Sequence, residues 1–132
     1  MTPFATTRLP SAPDATAPDG SEVRILLSLG GGSMAHFELH AGETSRAVVH
    51  RTVEEIWLVL TGRGDMWREQ SGREETVLLE PGVCLTIPVG TRFQFRSAGD
   101  QSLSAVGVTM PPWPGADEAV IVEGAWEPTV RA

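Results

Sequence analysis

Apolar and polar positions fall into short runs along most of the chain, and few runs extend past eight residues. The β-type stretches are VRILLSL (23–29), MAHFEL (34–39), RAVVH (46–50), EIWLVL (55–60), DMWREQ (65–70), ETVLLE (75–80), VCLTI (83–87), TRFQFRS (91–97) and LSAVGVTM (103–110). Turn residues separate them: Ala41-Gly42, Gly62-Arg63-Gly64, Ser71-Gly72, Pro81-Gly82, Val89-Gly90 and Gly99-Asp100. Short strands punctuated every eight to twelve residues predict an all-β sandwich or barrel. Side chains alternate across a strand, so Glu55, Trp57 and Val59 share one face while Ile56, Leu58 and Leu60 share the other. An outward row of three apolar side chains needs a cover. A second copy of the chain, making a homodimer, is the expected one; the N-terminal arm or the C-terminal tail could serve instead.

The ends have a different texture. Residues 1–21 are rich in Pro, Ala, Thr and Asp and predict a flexible or extended arm. The barrel is expected over 22–123, with a C-terminal tail over 124–132. Prolines between 111 and 114 argue against a central strand there. Trp113 and Trp126 are large surfaces expected to pack on the outside of the barrel or on a second subunit.

Composition narrows the function. Hydrophobic residues make up 41% and charged residues 20%, so a chain of 132 residues can bury one core. A net charge of −7 disfavours nucleic acid and anionic membrane surfaces as partners. No apolar run approaches the roughly 20 residues needed to cross a bilayer. The first twenty residues show no secretory h-region, so a cytoplasmic location is expected. Cys84 is the one cysteine and has no cationic neighbour in sequence, which predicts an inert buried thiol. Gly30-Gly31-Gly32 lacks the strand-to-helix setting of a phosphate loop and reads as a flexible turn.

Two segments carry the chemistry. The first is Gly42, then His50-Arg-Thr-Val-Glu54-Glu55-Ile-Trp-Leu-Val-Leu-Thr-Gly62-Arg-Gly64. The second is Pro81-Gly82, then Pro88-Val-Gly90-Thr-Arg-Phe93-Gln-Phe95. Together they resemble the two signature motifs of the cupin superfamily, over roughly residues 34–110. The resemblance implies a cupin-type jelly-roll barrel of two antiparallel sheets around a small-molecule pocket, often dimeric. It also implies a metal site of three histidines and a glutamate. His50 matches the second histidine and Glu55 the glutamate, while Val48 and Phe93 stand where the other two histidines would be. No metal cofactor is therefore expected; were one bound, His50 and Glu55 would be its ligands.

His50 and Glu55 are the candidate catalytic pair, a carboxylate orienting an imidazole and raising its pKa for proton transfer. The plainer alternative is a structural remnant of the metal site. Val48, Trp57, Phe93 and Phe95 form an expected apolar pocket wall, or else simple core filling. Arg46 shares the parity of Val48 and His50 and is placed at the pocket mouth as a ligand contact, whereas Arg92 and Arg96 point outward. His36 shares a strand face with Glu38 and His40. If that face turns inward, His36 joins the binding site; a half-buried strand favours Phe37 and Leu39 inward instead. Three functions follow: a metal-independent isomerase, epimerase or cyclase, a metal-dependent oxygenase or hydrolase-like enzyme with an unusual ligand set, and a binding or regulatory protein without chemistry.

Overall fold

A computed structural model describes residues 1–130 of the protein. The expected tail over 124–132 therefore has its last two residues outside the described part. Eleven strands run in chain order: β1 Ala15–Thr16, β2 Glu22–Leu29, β3 Gly32–Leu39, β4 Ala47–His50, β5 Glu54–Thr61, β6 Gly64–Gln70, β7 Arg73–Leu79, β8 Cys84–Ile87, β9 Arg92–Ser97, β10 Leu103–Met110 and β11 Ala119–Val122. A single 3-10 turn, Ala116–Glu118, precedes β11.

The strands form two antiparallel sheets, β1-β2-β3-β10-β5-β8 and β11-β4-β9-β6-β7. This is the expected barrel of two sheets. The nine predicted runs correspond to β2 through β10. The two additional strands come from the ends: β1 pairs with β2 and β11 pairs with β4. Both lie at sheet edges, where missing donors near prolines cost least.

Alternation decides what fills the interior. On β5, Glu55, Trp57 and Val59 are buried, while Ile56, Leu58 and Leu60 are exposed. Trp57, Phe93, Phe95, Leu39, Met66 and Leu79 are the largest fully enclosed side chains. Phe95 packs edge-on beneath Trp57 with ring centroids 5.0 Å apart. The β5–β6 turn depends on Gly62, whose φ is +85° and where a Cβ would collide with the backbone of Ser102.

Both ends are tied to the barrel. The Asp14 backbone N–H donates to Val23 O, and Asp14 Oδ2 accepts from the Ile25 N–H. Arg24 donates to the carbonyls of Pro10 and Ser11. At the other end, Gln94 on β9 exchanges hydrogen bonds with both backbone groups of Trp126. The Arg96 guanidinium lies 4.0 Å from the centroid of the Trp126 ring. Trp126 thus covers the outside of the five-stranded sheet, as expected, but Trp113 takes a different position at the pocket. Cys84 corrects another expectation: it is exposed. Leu85 and Ile87 occupy the inward positions of β8, so Cys84 and Thr86 face outward, and Cys84 lies opposite Leu58 in the strand pairing.

Candidate active site

A cavity of about 430 Å³ opens between the sheets, within the size range of small-molecule sites. Four strands supply its inner end: Val48 and His50 from β4, Glu55 and Trp57 from β5, Phe93 from β9, and Gly107 and Thr109 from β10. The ends of the chain complete it. Residues 15–19 of the arm form one wall, and Trp113 and Ala116 stand on the C-terminal side.

Gly107 shapes the floor. It lies opposite Trp57 in the β5–β10 pairing, and a Cβ there would come within 2.8 Å of Phe37 and 2.9 Å of Trp57. Without that Cβ the two rings stack nearly parallel across β10, with centroids 5.1 Å apart and planes 15° apart. The result is a flat aromatic surface facing the cavity.

His50 Nδ1 lies 3.3 Å from Glu55 Oε2, and both side chains are almost fully buried. The approach is not aligned as a hydrogen bond, and Nδ1 has no other partner. Glu55 Oε1 accepts a long hydrogen bond from Trp57 Nε1–H at 3.3 Å. Phe93 and Trp113 pack edge-on against the imidazole, each with its centroid 5.2 Å away. Burial in this apolar setting dominates the titration of both groups. It pushes Glu55 up to about 8, against the hydrogen bond from Trp57 and with the nearby Asp19 acting in the same direction as burial. Burial also pushes His50 down to about 4, although Glu118 pulls the other way. Burial thus works against the expected ionised pair with a raised histidine: it favours the neutral form of both the carboxyl and the imidazole.

Two further acids flank the pair. Asp19, on the arm, is buried in the cavity wall, where Oδ1 accepts hydrogen bonds from the Ser21 N–H and Oγ. Burial raises its pKa despite those bonds and the nearby Arg46. Glu118 closes the 3-10 turn and accepts from the Thr52 N–H, the Thr52 hydroxyl and the Val53 N–H. Burial opposes its ionisation, but these hydrogen bonds hold it below the usual carboxylate range. Glu118 thereby clamps the loop that joins the His50 strand to the Glu55 strand. Sequence reasoning missed Asp19, Glu118 and the pocket position of Trp113. The Asp19-Gly20-Ser21 stretch is legible as a turn, but nothing local shows that the turn closes a cavity.

Of the expected site residues, Val48, His50, Glu55, Trp57 and Phe93 meet on the cavity wall. Phe95 lies in the core below Trp57 rather than on the wall. His36 is also off the wall: Phe37 takes the inward position, and His36 lies between Arg24 and Val106 on the outer face. It is nonetheless buried, not solvated, and its Nδ1 is unpartnered. His40 is exposed and pairs with Glu22 at 3.0 Å. Arg46 does not reach the cavity either. Strand β4 begins only at Ala47, so the alternation that would place Arg46 beside Val48 has not started. Instead the Arg46 backbone N–H donates to Asp19 O at 2.8 Å.

The donor set does not suit a resident metal ion. Val48 and Phe93 fill their positions as enclosed apolar side chains, and the one histidine turns Nδ1 toward the one glutamate. Among the described residues, no three His, Cys, Asp or Glu side chains converge on a point. Catalytic metal sites ordinarily use three protein donors.

Comparison with known proteins fits this architecture. The family model described as "Cupin domain" matches residues 35–109, more than half of the chain. The chain belongs to the cupin family. No curated protein matches this cupin. Among solved structures, a recombinant oxalate oxidase in complex with glycolate superposes with a TM-score of 0.72 at 21% identity, over 89% of this chain and 62% of that one. The capsular polysaccharide assembling protein CapF from Staphylococcus aureus gives 0.69 at 17% identity, over 80% of this chain and 33% of that one. An uncharacterized conserved protein with a double-stranded beta-helix domain from Klebsiella pneumoniae gives 0.64 at 15% identity, over 79% and 85% of the two chains. This cupin therefore spans less than two thirds of the length of CapF and of oxalate oxidase. At these identities the likeness concerns the fold.

Proposed function

We propose that this cupin is a metal-independent enzyme that moves a proton on a small organic substrate, in an isomerase, epimerase or cyclase type of step. The observation that carries the reading is the buried His50–Glu55 pair, 3.3 Å apart on the cavity wall, with its neutral imidazole and protonated carboxyl. A base and an acid poised in one dry site suit enolisation of a carbonyl compound. His50 Nδ1 faces Glu55, which leaves Nε2 to take a proton from the carbon beside the carbonyl. The electron pair of that C–H bond forms a C=C bond as the carbonyl oxygen accepts the Glu55 proton. The enol, an imidazolium and a carboxylate result. In a β,γ-unsaturated carbonyl compound that enol is a dienol. Return of the imidazolium proton to the γ carbon moves the double bond into conjugation, and return of the hydroxyl proton to Glu55 restores the C=O, with no net change in protons.

Oxalate oxidase, which shares the fold, is named for a small polar molecule and was solved with glycolate, which supports a small-molecule role but not its reaction. A metal-dependent alternative that recruits His36 has no support, because His36 lies on the other face of β3. A second reading is a binding cupin without chemistry, favoured by the poor alignment between Nδ1 and Oε2. Deuterium uptake from solvent into cyclic ketones such as 1-tetralone, followed by NMR, separates the two. Proton transfer requires uptake above the buffer rate that disappears in His50→Ala; no acceleration, or the same acceleration in the variant, refutes it. We also read the outer face of the six-stranded sheet, with Ile56, Leu58 and Leu60 exposed, as the contact between two copies of the chain.

A further inference from the structure

We propose that the pocket takes an uncharged, flat, largely apolar compound with one hydroxyl or carbonyl group, and that it rejects carboxylates and phosphates. The role of that polar group rests on the proton-transfer reading above; the selectivity against anions does not.

All 10 basic residues of the chain are arginines, and none of those described lines the cavity. Most are committed elsewhere: Arg24 to Glu38, Arg63 to Glu80, Arg68 and Arg73 to Glu75, Arg92 to Glu69 and Arg96 to Asp65. The ionisable acids on the wall are Asp19 and Glu55. An anionic ligand would lose its hydration, find no cation, and face two carboxyl groups. A buried charge is tolerated only when paired.

The Phe37–Trp57 stack presents a broad flat surface, and Phe93 stands edge-on to Trp57 at 6.3 Å and 79°. Ile25, Leu27 and Met34 continue the apolar wall toward the mouth, where each is substantially exposed. Thr109 is already engaged with Ser33, their hydroxyls 2.6 Å apart. Thr16 and Ser28 are exposed on the wall, so the buried polar groups left for a ligand are those of the His50–Glu55 pair and Asp19. A cavity of about 430 Å³ holds a compound of about two or three fused rings.

Calorimetric titration of the full chain at pH 7 with 2-naphthol and with 2-naphthoate tests the inference, since the two probes differ chiefly in charge. The expected result is saturable binding of 2-naphthol at least tenfold tighter than 2-naphthoate. Ala116→Arg places a cation on the exposed rim of the same cavity and should recover at least tenfold in naphthoate affinity. Equal or tighter binding of naphthoate by the unmodified chain, binding of neither probe, or no response to Ala116→Arg would each overturn the proposal. Glu55→Gln should retain the preference for naphthol while losing any proton exchange. A failure of proton transfer and a failure of ligand selectivity are thus read separately.

Discussion

Glu55 and His50 lie 3.3 Å apart with their ordinary ionisation reversed: the acid is pushed up to about 8 and the base down to about 4. Proximity alone would draw opposite charges out of such a pair. Desolvation wins because both side chains are almost fully buried and the one polar contact the surrounding rings offer, the long hydrogen bond from Trp57 Nε1–H to Glu55, is too weak to offset it.

Activity should follow a bell-shaped pH profile, falling on the acid side as His50 takes a proton and on the alkaline side as Glu55 loses its own. The two limbs belong to the coupled pair rather than to either residue. His50→Ala should reduce turnover by a factor of about 100 or more with the circular-dichroism spectrum unchanged. Steady-state rates across pH 4 to 9 check both statements.

Stability should fall as pH rises from 6.5 toward 8. In that window the unfolded chain has already released the Glu55 proton while the folded chain still holds it, so the native state binds more protons and loses ground. His50 acts oppositely, between about 4 and 6.5, where the unfolded chain gains a proton that the folded one refuses. Thermal melts of Glu55→Gln should show a flatter profile above pH 6.5. An unchanged slope would contradict the assignment.

Glu118→Ala should destabilise the fold by about 2–4 kcal/mol. The change strips acceptors from the Thr52 and Val53 N–H groups and from the Thr52 hydroxyl, and it frees the loop between the two site strands. Urea denaturation gives the difference, and Glu118→Gln should recover part of it.

Replacing both Val48 and Phe93 with histidine should create a site of four protein donors from two. Affinity for Ni²⁺ or Zn²⁺ should rise by a factor of about 100 or more, read by titration calorimetry. The unmodified chain, purified without chelators, should carry well under one equivalent of transition metal by elemental analysis. A stoichiometric metal lost together with function on chelation would install the metal-dependent reading instead.

Leu58→Glu should convert a dimer to a monomer in light scattering, because it places a charge in the middle of the exposed Ile56, Leu58 and Leu60 row. A monomeric unmodified chain would remove the dimer reading.

What was legible in the sequence was local. The two-residue alternation around Glu55, Trp57 and Val59 set their inward direction. The His50–Glu55 spacing with Val48 and Phe93 marked both the site and its reduced donor set. Asp19, Trp113 and Glu118 were not legible, because each reaches the pocket through a chain end that folds back over many residues. Cys84 differs for another reason: Leu85 and Ile87 take the inward positions of β8 and turn Cys84 outward, whereas the lack of a cationic neighbour in sequence bears on reactivity and not on burial. The pKa directions failed because a partner in sequence is visible while the depth of its burial is not. His36 shows the same gap, being outward by alternation yet enclosed beside Arg24.

The cavity wall formed by residues 15–19, together with Trp113 and Ala116, has a consequence for how such a protein can change. The barrel strands hold His50 and Glu55, while much of the remaining cavity wall belongs to two peripheral segments fastened mainly along sheet edges β1 and β11. Exchanging either segment would retailor the choice of guest while the internal ladder of strands, and the acid and base mounted on it, stayed as they are. The buried pair and much of the wall around it are thereby carried by separately replaceable parts of one small chain.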